Sequence, residues 1–297
     1  MSVLILISIG FFSKKIGILQ KEHVAVLNNV ITYLAMPALV FRAIVDAKVS
    51  LSLLILPGIG IVVVLICMAV AYLTGRFTHF KRPTTGALIL LASIGNTGFL
   101  GYPLAIQLFG MHNFVRTVFY DLFATVVVMF TIGLLVAERF GEGKDRINIV
   151  KEFLTFPPLV ALYAALILRF VTLPTFVTDT IGFMAGAAIP LIMFSIGLSL
   201  EFAGIGKYKL GIGIVGFIKL VLSPLAALLI VMLVGVHGVD RGVIMLESSM
   251  PPFLFSMVIG LKYDLDTDFI PAAIVVCTII SLVTIPIWQY ILRVFAA

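Results

Sequence analysis

Apolar runs long enough to cross a lipid bilayer recur from one end of this 297-residue chain to the other. A helix rises about 1.5 Å per residue, so about 20 apolar residues cross about 30 Å of hydrocarbon. A chain that repeats such runs has lipid, not water, as its main solvent. Composition agrees, with 62% hydrophobic and only 11% charged residues, against roughly 25% charged in soluble domains. Period-2 alternation is absent, which excludes a membrane β-barrel. The expected fold class is therefore all-α and integral to the membrane.

Hydropathy and the punctuating charges place ten transmembrane helices near 1–13, 24–45, 51–75, 85–110, 113–137, 153–170, 175–200, 208–235, 240–261 and 268–294. The first run is short for a bilayer, so either further residues precede it or neighbours support it where the bilayer thins. It lacks the basic leader and small-residue cleavage site of a secretory signal. The net charge of +6 is dispersed through short loops, so it reads as a topology signal and not as a nucleic-acid surface. With the N-terminus outside, 13 Lys and Arg fall in inner loops, 6 fall outside, and Lys219 lies within a span. The positive-inside rule then gives a multi-pass cell-membrane protein with both termini outside and the Glu138 to Glu152 loop inside. Cys67 and Cys277 lie in apolar spans and read as small buried hydrophobes. His23, His79, His112 and His237 stand near span ends, where solvation is the default reading, as it is for the acidic loop holding Asp264, Asp266 and Asp268.

The midpoint loop prompts a search for duplication. Met36-Pro37-Ala38-Leu39-Val40-Phe41 resembles Ile189-Pro190-Leu191-Ile192-Met193-Phe194, with the prolines 153 residues apart. The same offset carries the Gly/Pro-rich break Gly95 to Pro103 onto 248–256, which holds Ser248-Ser249-Met250-Pro251-Pro252. Two five-helix halves, 1–147 and 148–297, must face the membrane in opposite senses, the inverted-repeat plan of secondary transporters.

Both breaks are unusual for spanning helices. The fourth span carries Gly95, Gly98 and Gly101 at three-residue spacing and then Pro103. Glycine loses the most backbone freedom on folding, and proline removes a donor and clashes with the preceding turn. The freed backbone groups must be buried in protein or line a wet cavity. Pro251 and Pro252 are expected in the first turn of a restarted half-helix. Two broken helices crossing at their breaks bring half-helix N-termini to one point, an anion site that needs no cationic side chain. Gly95, Asn96, Thr97, Gly98, Ser249, Met250, Pro251 and Pro252 are the expected substrate contacts.

Gly95-Asn96-Thr97-Gly98-Phe99-Leu100-Gly101-Tyr102-Pro103, with Met250-Pro251-Pro252 and Lys262-Tyr263-Asp264, resembles the auxin efflux carrier family of bacteria, archaea and plants. The likeness runs nearly end to end, without the long hydrophilic central loop of the plant carriers. It implies the fold of the bile acid:sodium symporter superfamily, with a scaffold domain of spans one, two, six and seven. Spans three to five and eight to ten would form a transport domain whose fourth and ninth helices cross. It also implies transport of small organic anions such as dicarboxylates, and a homodimer through the scaffold domain.

Glu247 precedes the second break, at a depth where a charge costs about 2.5 kcal/mol or more. Three roles compete: a sodium ligand, a proton acceptor, or a counter-charge to Lys219. The resemblance adds weight to sodium, with Ser248, Asn96 and unwound carbonyls completing the shell; no other cofactor is expected. Asp121, in the fifth span, could pair with Arg42 or Arg116. No zinc motif, Ser/His pair or aspartate dyad suggests an enzyme. The rival reading, a cation/proton antiporter of crossed-helix design, predicts aspartates where Asn96 and Ser249 stand.

Overall fold

In the computed structural model, residues 2–20, 22–47, 49–143, 148–200 and 205–294 are described. Of the topology signals, Lys21, Lys48, Lys144 and Arg146 lie outside these residues, as does the repeat boundary at 147.

Long apolar runs without alternation satisfy their backbone groups internally, and the described residues accordingly form helices joined by short turns. In chain order, counting the 3₁₀ and π turns that continue them except the π turn Thr97–Gly101 that leads into α5, these are α1 (Ser2–Lys15), α2 (Glu22–Val45), α3 (Leu51–Phe77), α4 (Arg82–Ser93), α5 (Tyr102–Phe109), α6 (Met111–Phe140), α7 (Ile149–Leu154), α8 (Pro157–Leu168), α9 (Thr175–Ser199), α10 (Lys209–Val234), α11 (Gly238–Ser248), α12 (Ser256–Lys262) and α13 (Phe269–Val294). Six of them, α2, α3, α6, α9, α10 and α13, are long and apolar enough to cross a membrane. The other predicted spans take shorter forms. The first is α1, the sixth is α7 and α8, the fourth divides into α4 and α5, and the ninth divides into α11 and α12.

The chain forms two compact units, each drawing on both halves of the sequence. The first comprises Met1–Leu51, Gly98–Val118 and Val150–Leu200. Here α1 packs on α9 backbone to backbone, because a Cβ at Gly10 would fall on the Phe194 carbonyl and one at Gly197 on the Ile7 carbonyl. That close approach gives the short first helix its support. α8 packs on the C-terminal half of α2, and the Arg169 guanidinium donates to the Ala47 carbonyl at 2.6 Å.

The second unit comprises Ser52–Thr97, Phe119–Ile149 and Glu201–Ala297. α4 lies at its centre, with every residue from Ala87 to Ser93 at most 1% exposed. α3, α6, α10 and α13 surround it, and Leu233 stands 86% exposed on the outer surface, as a lipid-facing helix requires. Asp266 is no solvated loop residue. Its carboxylate accepts from Thr84 Oγ1 at 2.7 Å, Tyr208 Oη at 2.8 Å and the Phe269 amide at 3.1 Å, so it caps the start of α13.

Five π-helical turns occur among the described residues: Ile31–Ala35, Thr97–Gly101, Asp121–Val126, Met129–Gly133 and Ile218–Leu222. Such a turn inserts a residue, re-aims the side chains around it and recurs at functional sites. Three of the five carry Thr97, Asp121 and Lys219, polar residues that an apolar span does not need for packing.

Candidate functional site

The two breaks meet within the second unit. Gly95 and Pro252 form an isolated antiparallel bridge, closed by the Asn96 amide donating to the Pro251 carbonyl at 2.7 Å and the Phe253 amide donating to the Ile94 carbonyl at 3.0 Å. This answers where the freed backbone groups go: each break supplies the partner that the other lacks. It also corrects the expected position of Pro251 and Pro252. They precede α12, which begins at Ser256, and lie in the extended bridging segment. Having no N–H, they present carbonyls only, and Phe253 is the first residue beyond them able to donate. Pro103 lies farther on, where the helix that restarts with the π turn at Thr97 runs into α5.

The polar residues around the bridge are almost entirely shielded. Asn96, Thr97, Glu247, Ser248, Ser249 and Met250 are each 0–1% exposed. Thr97 Oγ1 donates to the Asp121 carboxylate. Ser248 and Tyr120 share a hydroxyl hydrogen bond of 3.0 Å. The Ser249 hydroxyl turns back to donate to the Met245 carbonyl at 2.6 Å, sealing the C-terminus of α11. Gly98 follows Thr97 in the same π turn and belongs to the first unit.

A cationic side chain stands at the crossing after all. Lys219, 2% exposed, donates to Ser223 Oγ at 3.2 Å and to the Ser248 carbonyl at 3.3 Å, and Ser223 Oγ donates to that same carbonyl at 2.8 Å. The ammonium thus faces the negative end of the α11 dipole. Its reach to the bridge is direct, since a Cβ at Gly95 would lie 3.1 Å from Lys219 Cε and 3.2 Å from Nζ. Any constraint on Gly95 is therefore one of proximity and not of backbone angle, because its φ is not positive. The sequence offered Lys219 only as one of three competing roles for Glu247, and it did not single out Tyr120 or Ser223. The available signal was helical spacing: Lys219 and Ser223 are four residues apart on one face.

Glu247 forms no ion pair with Lys219 within 4.0 Å, and neither carboxylate oxygen of Glu247 has a hydrogen-bond partner among the described residues. Both oxygens are buried. A hard cation such as sodium takes several oxygens, and those at the crossing already accept or donate hydrogen bonds of their own. The Ser248 carbonyl receives Lys219 and Ser223, the bridge takes the Ile94 and Pro251 carbonyls, and the Thr97 hydroxyl points to Asp121. No group of three or more His, Cys, Asp or Glu suited to a metal occurs among the described residues. The Glu247 carboxyl is thus buried with both oxygens open to a further partner.

Comparison with known proteins adds a second line of evidence. A family model described as "Membrane transport protein" matches residues 1–155 and 144–289. An uncharacterized transporter of Methanocaldococcus jannaschii is 37% identical, covering 98% of this chain and 96% of its own length. Another from Methanothermobacter thermautotrophicus is 36% identical over 98% and 97%. A protein of Rhizobium meliloti named as a putative malonate transporter is 25% identical over 97% and 93%.

Proposed function

The chain belongs to the membrane transport protein family, the auxin efflux carrier-like group, and on that premise we propose that it is a secondary active carrier for a small organic anion. The cargo is a carboxylate or dicarboxylate, moved across the cell membrane by alternating access. One observation carries this reading: the hydrogen-bonded crossing of two interrupted helices with the buried Lys219 ammonium against it. Lys219 supplies positive potential in a low-dielectric setting, where an anion gains most. Asn96, Thr97 and the Ser249 to Pro252 segment supply direction. The malonate named for the Rhizobium relative supports a short dicarboxylate. Because the crossing residues are shielded from solvent, substrate reaches them only when the protein rearranges, as a carrier opening to one side at a time must.

In this reading the ten spans form two inverted five-helix repeats, and the protein assembles as a homodimer. Glu247 is the coupling group, exchanging a proton through its unengaged carboxyl.

A panel of mono- and dicarboxylates binding to purified protein tests the substrate class. Asn96→Ala should weaken carboxylate binding about tenfold, the loss of roughly one hydrogen bond to a charged group, while the melting temperature holds. Unchanged affinity in a well-folded Asn96→Ala variant removes the crossing from substrate recognition. In proteoliposomes, wild-type uptake should follow a proton gradient and Glu247→Gln should not. Sodium-dependent uptake lost in Glu247→Gln would replace the proton with sodium.

A further inference from the structure

Remote from the crossing, two cavities of the second unit share a wall where α3 and α6 end. The first, about 760 Å³, is lined by Tyr72, Arg76, His79, Arg82, Arg139 and Phe140, among others, with no acidic side chain among its described lining residues. The second, about 640 Å³, lies against Arg82, Arg139 and Phe140 and is walled by Ile132, Leu135 and Val136, with Glu138 also contributing. One cavity is cationic and aromatic; the other sets an aliphatic wall of three side chains beside the same basic residues.

Three guanidinium groups at one cleft repel one another unless an anion sits among them. Arg82 is pinned by donating to the Arg139 carbonyl at 2.5 Å, which satisfies an otherwise orphaned carbonyl in the last turn of α6. An arginine has five N–H donors, so most of its fork is left over. The side chains of Arg76 and Arg139 have no hydrogen bond or ion pair among the described residues. Beside them His79 holds a left-handed backbone, with φ of 54°, a strained conformation of the kind that collects at ligand sites. The outward surface continues the pattern: Phe77 is 77% exposed and Leu135 54%.

We propose that this double cleft binds an anionic phospholipid, its phosphodiester gripped by Arg76, Arg82 and Arg139 and an acyl chain lying along Ile132, Leu135 and Val136. Guanidinium forks match phosphate oxygens bidentately, and basic pockets between membrane helices on the inner side take lipid head groups. The excess of basic residues places this end of α3 and α6 inside. The aliphatic wall of the second cavity, with Leu135 54% exposed, decides for a lipid, because a free phosphate would leave it uncovered.

Native mass spectrometry and thermal melting of the full-length protein in neutral detergent test the proposal. Short-chain phosphatidylglycerol should remain bound and raise the melting temperature, whereas phosphatidylcholine of equal chain length and inorganic phosphate should not. Arg76→Gln with Arg139→Gln should weaken phosphatidylglycerol binding about tenfold or more and leave carboxylate binding at the crossing unchanged. Arg82 stays in place because it also holds the Arg139 carbonyl. Should the double variant fold poorly, Leu135→Asn, on the exposed aliphatic wall, should weaken phosphatidylglycerol retention in its place. Equal retention of the two lipids overturns the proposal. So does a phosphate-induced shift matching that of phosphatidylglycerol, or wild-type retention in either well-folded variant.

Discussion

Gly95→Ala is the smallest change that reaches both the bridge and the buried ammonium. Its backbone is not left-handed, so alanine is admissible on conformational grounds and the outcome rests on contacts. The new methyl would lie 3.1 Å from Lys219 Cε, 3.2 Å from Nζ and 3.5 Å from Met250 Cβ. Lys219 must yield by a few tenths of an ångström. Its hydrogen bonds to Ser223 Oγ at 3.2 Å and the Ser248 carbonyl at 3.3 Å are already long, so a retreat of that size breaks one of them. A hydrogen bond to a charged group contributes roughly 1.5–3 kcal/mol. Replacing glycine returns roughly 0.4–1 kcal/mol by restricting the unfolded chain. The net expectation is destabilisation of about 1–2 kcal/mol, together with weaker carboxylate binding as the ammonium leaves the crossing. Melting of the purified protein and equilibrium binding read the two effects. Gly213→Ala is the control: nothing lies within 4 Å of its added Cβ, and in the α10 interior alanine should stabilise by roughly 0.5–1 kcal/mol. Wild-type stability and affinity in Gly95→Ala would refute the placement of Lys219 against the crossing.

Three further expectations follow from the same geometry. Lys219→Met should destabilise by roughly 1.5–3 kcal/mol, because it removes the charged donor from the Ser248 carbonyl and Ser223 Oγ; Glu247→Gln should add to that loss independently, and a rescue in the double variant would show that the two charges are paired after all. Asp266→Ala removes three hydrogen bonds, including the cap of α13, and should cost about 2–3 kcal/mol in melting experiments, whereas a truly solvated Asp266 would cost nothing. A cysteine at Glu142, which is exposed, should resist an impermeant thiol reagent applied outside intact cells, and labelling there would reverse the predicted topology. Gly143 is a poor site for that probe, since its Cβ would lie 2.8 Å from the Lys262 carbonyl; Cys67 and Cys277, each 0% exposed, give little background.

The sequence by itself settled what depends on local composition. Apolar runs without alternation had to be helices in lipid, because no other backbone conformation satisfies its own polar groups there. Gly95 to Pro103 and Ser248 to Pro252 had to interrupt them, because glycine and proline remove what a helix needs at those positions. Asn96, Thr97 and Glu247 stood out for the same local reason: polar groups at membrane depth are costly. What tertiary structure decided were matters of pairing between distant residues. Pro251 and Pro252 could have begun a helix as well as a bridge, and only the nearness of Ile94 and Asn96 made them bridge. Lys219 could have sought the Glu247 carboxylate; the π turn at Ile218–Leu222 and the carbonyl end of α11 turned it toward Ser248. Asp266 looked like a solvated loop acid until Thr84 and Tyr208, 182 and 58 residues away, were brought to it. Composition specifies that a buried polar group must find a partner, whereas which partner it finds is set by the packing of helices whose order along the chain carries no distance information.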